Sequence, residues 1–265
     1  MTPIALTIAG SDSGGGAGIQ ADLKTFSALG VYGASVVTAL TAQNTKGVSA
    51  IHDVPAQFVV AQMDAVFSDL DVGAVKIGMV SQRGVIEAIA AGLERWRQDK
   101  IVLDPVMIAA SGDKLLAADA IETLKRALIP RALVVTPNLP EAAALLDAPI
   151  ARNESEMRAQ GERLLALGPR AVLLKGGHGS GAESVDLLIE PSASVRLAAE
   201  RIATQNTHGT GCTLSSAIAA GLAKGLGLTE AVGAAKTYVT QALASASRIK
   251  IGSGHGPTHH FHAWW

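Results

Sequence analysis

The chain has 265 residues and a hydrophobic fraction of 48%, which is enough for one large domain with a sizeable buried core. Its 22 basic and 23 acidic side chains nearly cancel, so the charge gives no footprint for nucleic acid or an anionic membrane, and we expect a small molecule or another protein as partner. The single cysteine excludes an internal disulfide, and because the sequence shows neither a signal-peptide pattern nor a membrane-spanning apolar run, we expect a cytoplasmic protein.

Short apolar or β-branched runs alternate with longer amphipathic stretches along most of the chain, which predicts repeated βαβ units. In chain order, the predicted elements are the strand PIALTIA, a helix over 17–29, the strand VYGASVVTALTA, a helix over 55–70, the strand GAVKIGM, a helix over 82–98, the strand KIVLDPVM, a helix over 116–127, the strand ALVVTP, helices over 139–145 and 154–167, and the strand AVLLKGG. Strands such as IVLD and AVLL are apolar on both faces, as buried parallel strands are.

The pattern changes after Gly181. The runs SVDLLIE and SVRLAAERI, separated by Pro191 and Ser192, predict a hairpin at the sheet edge. Helices are predicted over 211–224 and 229–246, before a tail too polar and glycine-rich for a further regular element. We therefore predict one α/β domain over 1–265, with helices on both faces of a mostly parallel sheet of eight or more strands, and ligands beyond the carboxyl ends of the strands.

The first unusual cluster, AGSDSGGGAGIQADL, lies where the first strand gives way to a helix. Its glycines permit positive φ and let backbone N–H groups face a ligand, although a plain flexible turn has the same composition. The stretch 16–21 also satisfies the relaxed dinucleotide pattern G-x-G-x-x-A, but no acidic residue follows about twenty positions later to hold a ribose hydroxyl. A Walker-type site is excluded because the chain has no Gly-Lys dipeptide.

The second cluster, TQNTHGTGCTLSSAIAAGLAKG, is a glycine-rich turn that opens into a long helix. The backbone N–H groups of Gly209, Thr210, Gly211 and Cys212 can converge at the positive end of that helix, where an oxyanion or a transferring phosphoryl group would be stabilised. The same dipole is expected to favour the thiolate of Cys212. A lone cysteine is more often a small buried hydrophobe, but its place in a glycine turn favours a functional role.

Charged side chains follow other strands. Asp104 ends the strand in LDPVM, and Glu141 begins a helix after Asn138 in TPNLPEA, so both carboxylates can face one crevice and support a hydrated magnesium ion. Lys175 in LLKGGH ends a strand where it can contact nucleotide phosphates. Taken singly, each carboxylate is equally well explained as a helix cap or a solvated residue.

Eight motifs together resemble the ribokinase-like kinases and, among them, the hydroxymethylpyrimidine/phosphomethylpyrimidine kinases of thiamine biosynthesis. These motifs are AGSDSGGGAGIQADLKT, TALTAQNT, KIGM, DPVM, TPNLPEA, LLKGGH, NTHGTGCTLSSAIA and GPTHHF. They match the order and approximate spacing of that family over nearly the whole chain. The resemblance implies ATP as phosphoryl donor, magnesium as cofactor, a small pyrimidine alcohol as substrate and a homodimer.

The resemblance also assigns roles at the phosphate end of the site. The turn 209–212 resembles the anion hole for the γ-phosphate, with Gly209, Gly211 and Cys212 as its catalytic members. Asp104 and Glu141 resemble the magnesium-supporting pair, and Lys175 and Thr210 would face the ATP phosphates.

At the other end, Gln43 resembles the residue whose amide reads the aminopyrimidine edge. Further parts of the substrate pocket are implied at Gly10, Asp22, Met79 and Val106. Most sugar kinases of the superfamily have aspartate in place of Cys212, so the resemblance implies that cysteine takes the proton from the hydroxymethyl group. A second phosphorylation, onto the monophosphate, is implied as well.

Other functions remain open from the sequence. A vitamin B6 kinase would use the same fold and ATP site, an NAD-dependent oxidoreductase could use the relaxed glycine pattern, and a regulator could bind the precursor without turnover. The missing ribose acid disfavours the oxidoreductase, and the anion-hole and carboxylate clusters disfavour the regulator. The tail histidines, His255, His259, His260 and His262, lack accompanying cysteines or carboxylates, so packing is favoured over a metal site.

Overall fold

The computed structural model describes residues 1–107, 118–177 and 181–265, in which nine strands and eight α-helices form. The strands are β1 (Ile4–Asp12), β2 (Tyr32–Asn44), β3 (Gly47–Asp53), β4 (Ala74–Ile77), β5 (Ile101–Leu103), β6 (Val134–Val135), β7 (Val172–Lys175), β8 (Glu183–Glu190) and β9 (Ala193–Glu200). The helices are α1 (Gly18–Ala28), α2 (Ala56–Phe67), α3 (Arg83–Arg95), α4 (Ala118–Ala127), α5 (Leu139–Leu146), α6 (Glu154–Leu165), α7 (Thr210–Ala223) and α8 (Leu228–Ala244).

All nine strands form one sheet, in the order β3-β2-β1-β4-β5-β6-β7-β8-β9. Six neighbouring strands run parallel, namely β2, β1, β4, β5, β6 and β7. At the two edges, β3 pairs antiparallel with β2, β8 with β7, and β9 with β8. The chain moves outward from β1 to β2 and β3, and then returns to place β4 on the other side of β1. This reversal leaves a crevice beyond the carboxyl ends of β1 and β4, where ligands bind in open α/β sheets.

Two hydrophobic layers cover the sheet, because successive side chains of a strand point to opposite faces. In β4, Val75 and Ile77 pack into the layer that holds α2 to α6, whereas Ala74 packs into the layer that holds α1, α7 and α8. The result is a three-layer arrangement with helices on both faces. The predicted α/β fold is confirmed, and so is the β8–β9 hairpin at one edge.

The other edge was predicted incompletely. Residues 47–53 form β3, which pairs antiparallel with β2, although their mixed composition gave no strand pattern. Most of these residues are exposed, so burial does not select apolar side chains there. The predicted start of the helix over 116–127 lies outside the described residues. Within the described ranges, no helix combines the length and apolar character needed to cross a membrane.

Candidate active site

The turn after β1 folds around the carboxylate of Asp12. Its Oδ1 accepts the N–H of Gly14 at 2.8 Å, and its Oδ2 accepts those of Gly16 at 3.0 Å and Ala17 at 2.8 Å. The backbone N–H of Asp12 donates in turn to the side chain of Gln20 at 2.8 Å. The glycine-rich turn is therefore held in one shape by a side chain at its own start, rather than being a flexible linker.

The second glycine-rich turn contacts the first. His208 Nε2 lies 2.8 Å from Asp12 Oδ2, and a Cβ on Gly209 would overlap the carbonyl oxygen of Gly16. Gly209 also has φ +77°, a left-handed conformation that side chains disfavour. Burial acts to raise the pKa of Asp12, but the hydrogen bonds from His208 and the backbone outweigh it and lower that pKa. The carboxylate of Asp12 therefore contacts both turns, which lie almost 200 residues apart in sequence.

The pyrimidine end of the predicted site lies against the first turn. Ser13 Oγ donates to the carbonyl of Gln43 at 2.7 Å and accepts its N–H at 2.8 Å. The half-buried Gln43 side chain accepts from Thr41 Oγ1 at 3.0 Å through its amide oxygen. Gly10 adjoins Met79, whose methyl group occupies the space of a Cβ at position 10.

The phosphate end of the predicted site lies at the start of α7. Gly209 is the N-cap, and Thr210, Gly211 and Cys212 form the first turn, where helix N–H groups lack partners within the helix. A Cβ on Gly211 would lie 3.3 Å from Lys175 Nζ, so the turn and the lysine face each other. Thr210 Oγ1 donates to the carbonyl of Thr207 at 2.7 Å. A cation therefore stands directly beside a helix N-terminus, a combination that favours bound anions.

Asp104 and Lys175 form a buried pair at the ends of β5 and β7. Lys175 Nζ lies 2.8 Å from Asp104 Oδ1, which also accepts from Thr136 at 3.0 Å, while Asp104 Oδ2 accepts from Ser215 at 3.3 Å. Burial favours the neutral carboxyl, but Lys175 and Lys76 lower the pKa of Asp104. Burial likewise favours a neutral Lys175, yet the neighbouring carboxylates keep its pKa raised.

Glu141 completes the predicted carboxylate pair. It caps α5 together with Asn138: the Asn138 N–H donates to Glu141 Oε2 at 2.8 Å, and the Glu141 N–H donates to Asn138 Oδ1 at 2.9 Å. Lys175 Nζ lies 3.9 Å from Glu141 Oε2. The pKa of Glu141 is raised to about 7, because burial and the nearby carboxylate of Asp104 together outweigh the opposing effect of Lys175. Helix capping and metal support were alternatives for Glu141 from the sequence, and the geometry allows one residue to do both.

The expected thiolate of Cys212 is corrected by the structure. The side chain is half-buried, and burial raises the pKa of its thiol to about 11. This value includes a lowering effect of Lys76 and raising effects of Asp22 and Asp104. The loss of water and the two carboxylates therefore outweigh the helix dipole, from which a thiolate was expected. Cys212 is therefore a thiol at rest and loses its proton only against an energetic cost.

The expectation that Asp22 lines the substrate pocket is also corrected. Asp22 is 0% exposed, and its carboxylate accepts from Thr7 at 2.6 Å, from Ser216 at 2.6 Å and from Lys76 at 2.7 and 2.9 Å. All of its hydrogen-bonding capacity is directed at the protein. Asp22 therefore lies beneath the site, where it holds Thr7, Lys76 and Ser216 together. Val106, which follows β5 at the carboxyl edge of the sheet, is half-buried.

The C-terminal tail packs against the site instead of lying on the surface. Residues His208 and Pro257 form a β-bridge, and His259 and His260 are buried. His260 Nε2 lies 3.1 Å from Thr213 Oγ1 on α7, and burial lowers the pKa of His260 to about 3. A neutral, hydrogen-bonded His260 has a packing role. Among the described residues, no three histidine, cysteine or acidic side chains gather where they could hold a metal ion.

Sequence reasoning missed three residues of this region: Asp12, His208 and Lys76. Asp12 precedes a glycine run and could have been recognised as the residue that closes an Asx-type turn. Lys76 interrupts the otherwise apolar strand run GAVKIGM, which is unusual for a strand buried on both faces. Nothing in the sequence pairs His208 with Asp12, because that contact depends on the crossing of β1 and α7.

The chain is similar to known kinases over its whole length. The profile of the family described as phosphomethylpyrimidine kinase matches residues 12–259. The hydroxymethylpyrimidine/phosphomethylpyrimidine kinase of Rhizobium meliloti is 64% identical over 265 residues, which cover 100% of this chain and 99% of that protein.

Solved structures give the same result. The phosphomethylpyrimidine kinase from Clostridium difficile 630 has a TM-score of 0.81 and 48% identity, covering 91% of this chain and 99% of its own. The ADP complex of Bacillus subtilis pyridoxal kinase has a TM-score of 0.91 and 34% identity, covering 99% of each chain. The fold expected from the motifs is confirmed by these structures.

Proposed function

The chain belongs to the phosphomethylpyrimidine kinase family, and we propose that it phosphorylates 4-amino-5-hydroxymethyl-2-methylpyrimidine with ATP, first to the monophosphate and then to the diphosphate used in thiamine biosynthesis. The 64% identity to the Rhizobium meliloti kinase is measured over all 265 residues, so the matched region spans every part of the site. The ADP complex of the similar pyridoxal kinase supports a nucleotide as the second substrate.

The observation that carries this proposal is a continuous row of contacts along the carboxyl edge of the sheet. Gln43 contacts the first glycine turn through Ser13, that turn contacts the second through Asp12 and His208, and Gly211 adjoins Lys175. An amide that offers both donor and acceptor thus lies at one end of the row, and a helix N-terminus beside a cation lies at the other. This arrangement suits a flat heterocycle joined to a group that receives a phosphoryl group.

The proposed transfer moves one proton and one phosphoryl group. The hydroxymethyl oxygen attacks the γ-phosphorus of ATP, its proton passes to the Cys212 sulfur in thiolate form, and the bond to the bridging oxygen breaks to release ADP. The N–H groups of Gly209, Gly211 and Cys212 and the ammonium of Lys175 face the negative charge that develops. In the second transfer the acceptor is an already ionised phosphate oxygen, so a base contributes less.

The carboxylates fit a magnesium ion held mainly through water. Both oxygens of Asp104 already accept hydrogen bonds, whereas Glu141 is a buried carboxyl whose raised pKa would fall beside a cation. Magnesium is usually held by one or two carboxylates with water and substrate phosphates, and when bound it neutralises phosphate charge. Glu141 would carry the contact and Asp104 would hold Lys175 in position. The homodimer and the cytoplasmic location stay predictions.

The test is incubation of the purified protein with ATP and magnesium and, separately, the aminopyrimidine alcohol, its monophosphate, pyridoxine and pyridoxal. Mass measurement should show one and then two phosphoryl groups added to the aminopyrimidine, at a higher kcat/KM than for either vitamin B6 alcohol. Phosphorylation of the B6 compounds with no aminopyrimidine product would refute the substrate assignment. Tight binding without turnover would support the regulator considered from the sequence.

A further inference from the structure

One buried positive charge beneath the site has no role in the proposed transfer so far. Lys76 lies in the middle of β4 and is 0% exposed, with Nζ 2.7 Å from Asp22 Oδ2 and 2.9 Å from Oδ1. A buried ion pair gives little or no net stability over two well-packed apolar side chains, because both charges lose their water. A stability role alone therefore does not account for the pair.

The pair reaches Cys212 through two facing helices. Asp22 Oδ1 accepts from Ser216 at 2.6 Å, and Ser216 lies four residues after Cys212 on the same face of α7. On α1, Asp22 lies four residues after Gly18, whose backbone N–H acts to lower the pKa of the Cys212 thiol, and α1 packs on α7. The Lys76–Asp22 pair and the Cys212 sulfur therefore lie at successive turns of one helix contact.

The position of the Lys76 ammonium is fixed at the ligand side of the sheet. A Cβ on Gly78 would lie 2.7 Å from Lys76 Nζ, so the ammonium reaches forward along β4 to the glycine that follows the strand. Asp22 raises the pKa of Lys76 against the effect of burial, which keeps the amine charged at every physiological pH.

We infer that Lys76 is a positioning residue for the reaction under "Proposed function": its ammonium, fixed by Asp22, supplies the positive charge that allows the Cys212 sulfur to lose its proton. This inference rests on the proposed role of Cys212 as proton acceptor. Lys76, the first residue of the KIGM segment, would thus favour proton loss from Cys212 without contacting the substrate.

The charges around Cys212 show why such a residue is needed. Within the described part of the chain, four charged groups act on it: Lys76 on β4, Asp22 on α1, Asp104 after β5 and Lys175 at the end of β7. Asp22 and Asp104 both oppose a thiolate, and burial opposes it more strongly. Lys175 lies 2.8 Å from Asp104 and has a role toward phosphate in the proposed transfer, whereas Lys76 pairs with Asp22 and has no such role.

The test uses alkylation of the only cysteine in the chain, because Cys212 is half-buried and the thiolate is the form that reacts. Lys76→Met alone would leave Asp22 buried without its partner, and Asp22→Asn alone would leave Lys76 buried without the carboxylate that keeps it charged. The comparison is therefore between the wild-type protein and the double variant Asp22→Asn/Lys76→Met, which removes both charges together while the asparagine oxygen can still accept from Ser216. Iodoacetamide labelling is followed by mass over a pH series, without substrates.

We expect the double variant to be labelled at least about threefold more slowly than the wild-type protein at a fixed pH below the thiol pKa, because the attraction of Lys76 for the thiolate exceeds the repulsion by Asp22 and half a unit of pKa corresponds to about threefold. The kcat of the first phosphorylation should fall by a similar factor, with KM for the pyrimidine nearly unchanged. Equal labelling of the two proteins overturns the inference and leaves Lys76 as a structural counter-ion.

A second buried pair provides the matched control. Lys236 and Asp186 lie 2.8 Å apart, are almost fully buried and are not among the charges that face Cys212. Asp186→Asn/Lys236→Met should be labelled at the wild-type rate. Slowing by the same factor in this double variant would show a general change of the fold and would also refute the role of Lys76. Because labelling needs no ATP, failure of the wild-type protein to phosphorylate the pyrimidine would be recorded separately.

Discussion

The contact between the two glycine turns predicts that Gly209 cannot carry a side chain. Gly209 caps α7 with φ +77°, and a Cβ there would overlap the carbonyl oxygen of Gly16. The obstacle is backbone, which cannot rotate away as a side chain can. Gly209→Ala must therefore either move the first turn of α7 or push the turn after β1 outward, and both turns belong to the proposed site.

The other end of α7 provides the matched control. Gly225 follows the helix with φ +88°, yet a Cβ there would meet nothing within 4 Å. A left-handed non-glycine residue costs about 1–2 kcal/mol, so Gly225→Ala should lose that amount of unfolding free energy and keep its kcat. Gly209→Ala should lose the same amount plus about 1–3 kcal/mol for the overlap. A displacement of about 1 Å at the anion hole should also lower kcat on the order of 10²-fold.

The assay pairs urea unfolding with steady-state phosphorylation of the pyrimidine alcohol for both variants. The difference between Gly209→Ala and Gly225→Ala removes the shared backbone strain and leaves the effect of the contact with Gly16. If both variants lost equal stability and Gly209→Ala retained the wild-type kcat, the turns would not need to touch for phosphoryl transfer, and the argument from their contact would be wrong.

Three further predictions concern single side chains. Gln43→Leu should raise KM for the aminopyrimidine sharply, and unchanged discrimination against an analogue without the amino group would exclude Gln43 as the reader of that edge. Glu141→Gln keeps the cap of α5 but should need more magnesium for half-maximal activity, whereas Glu156→Gln, at the corresponding position in the first turn of α6, should not. Cys212→Ser should slow the first phosphorylation on the order of 10²-fold or more and the second much less. Equal slowing of both steps, with the fold intact, would instead give Cys212 a packing role.

The order of strands and helices could be predicted from the sequence because buried parallel strands and amphipathic helices carry their periodicity locally. The edge strand β3 could not, since exposure removes the selection for apolar residues that reveals a strand. The tail after residue 246 was predicted to lack a further regular element, and beyond a single 3-10 turn at Ala246–Arg248 it has no helix or strand. Its packing against Thr213 depends on tertiary contacts that no local pattern encodes.

The proposed site divides in the same way. Gly209, Gly211 and Lys175 were predicted from position alone, because a strand end and a helix start are local features and the sheet brings them to one edge. The protonation of Cys212 was predicted wrongly, since a pKa sums charges from elements far apart in sequence. Asp22, 190 positions from Cys212, contributes to that sum only once α1 packs on α7.

The raised pKa of Cys212 is compatible with a base that is ionised in only a small fraction of the molecules. A free thiolate at this depth would face the carboxylates of Asp22 and Asp104, and a pKa of about 11 leaves roughly one molecule in a thousand ionised at pH 8. A small reactive fraction limits the rate for the alcohol, whose oxygen must lose a proton, but it does not limit the monophosphate, whose oxygen is already ionised. The two transfers should therefore respond differently to pH: the first should accelerate between pH 7 and pH 9 as the thiolate fraction rises, and the second should stay nearly flat once its phosphate is ionised. Parallel pH profiles for the two steps would show that proton loss from Cys212 does not limit the first.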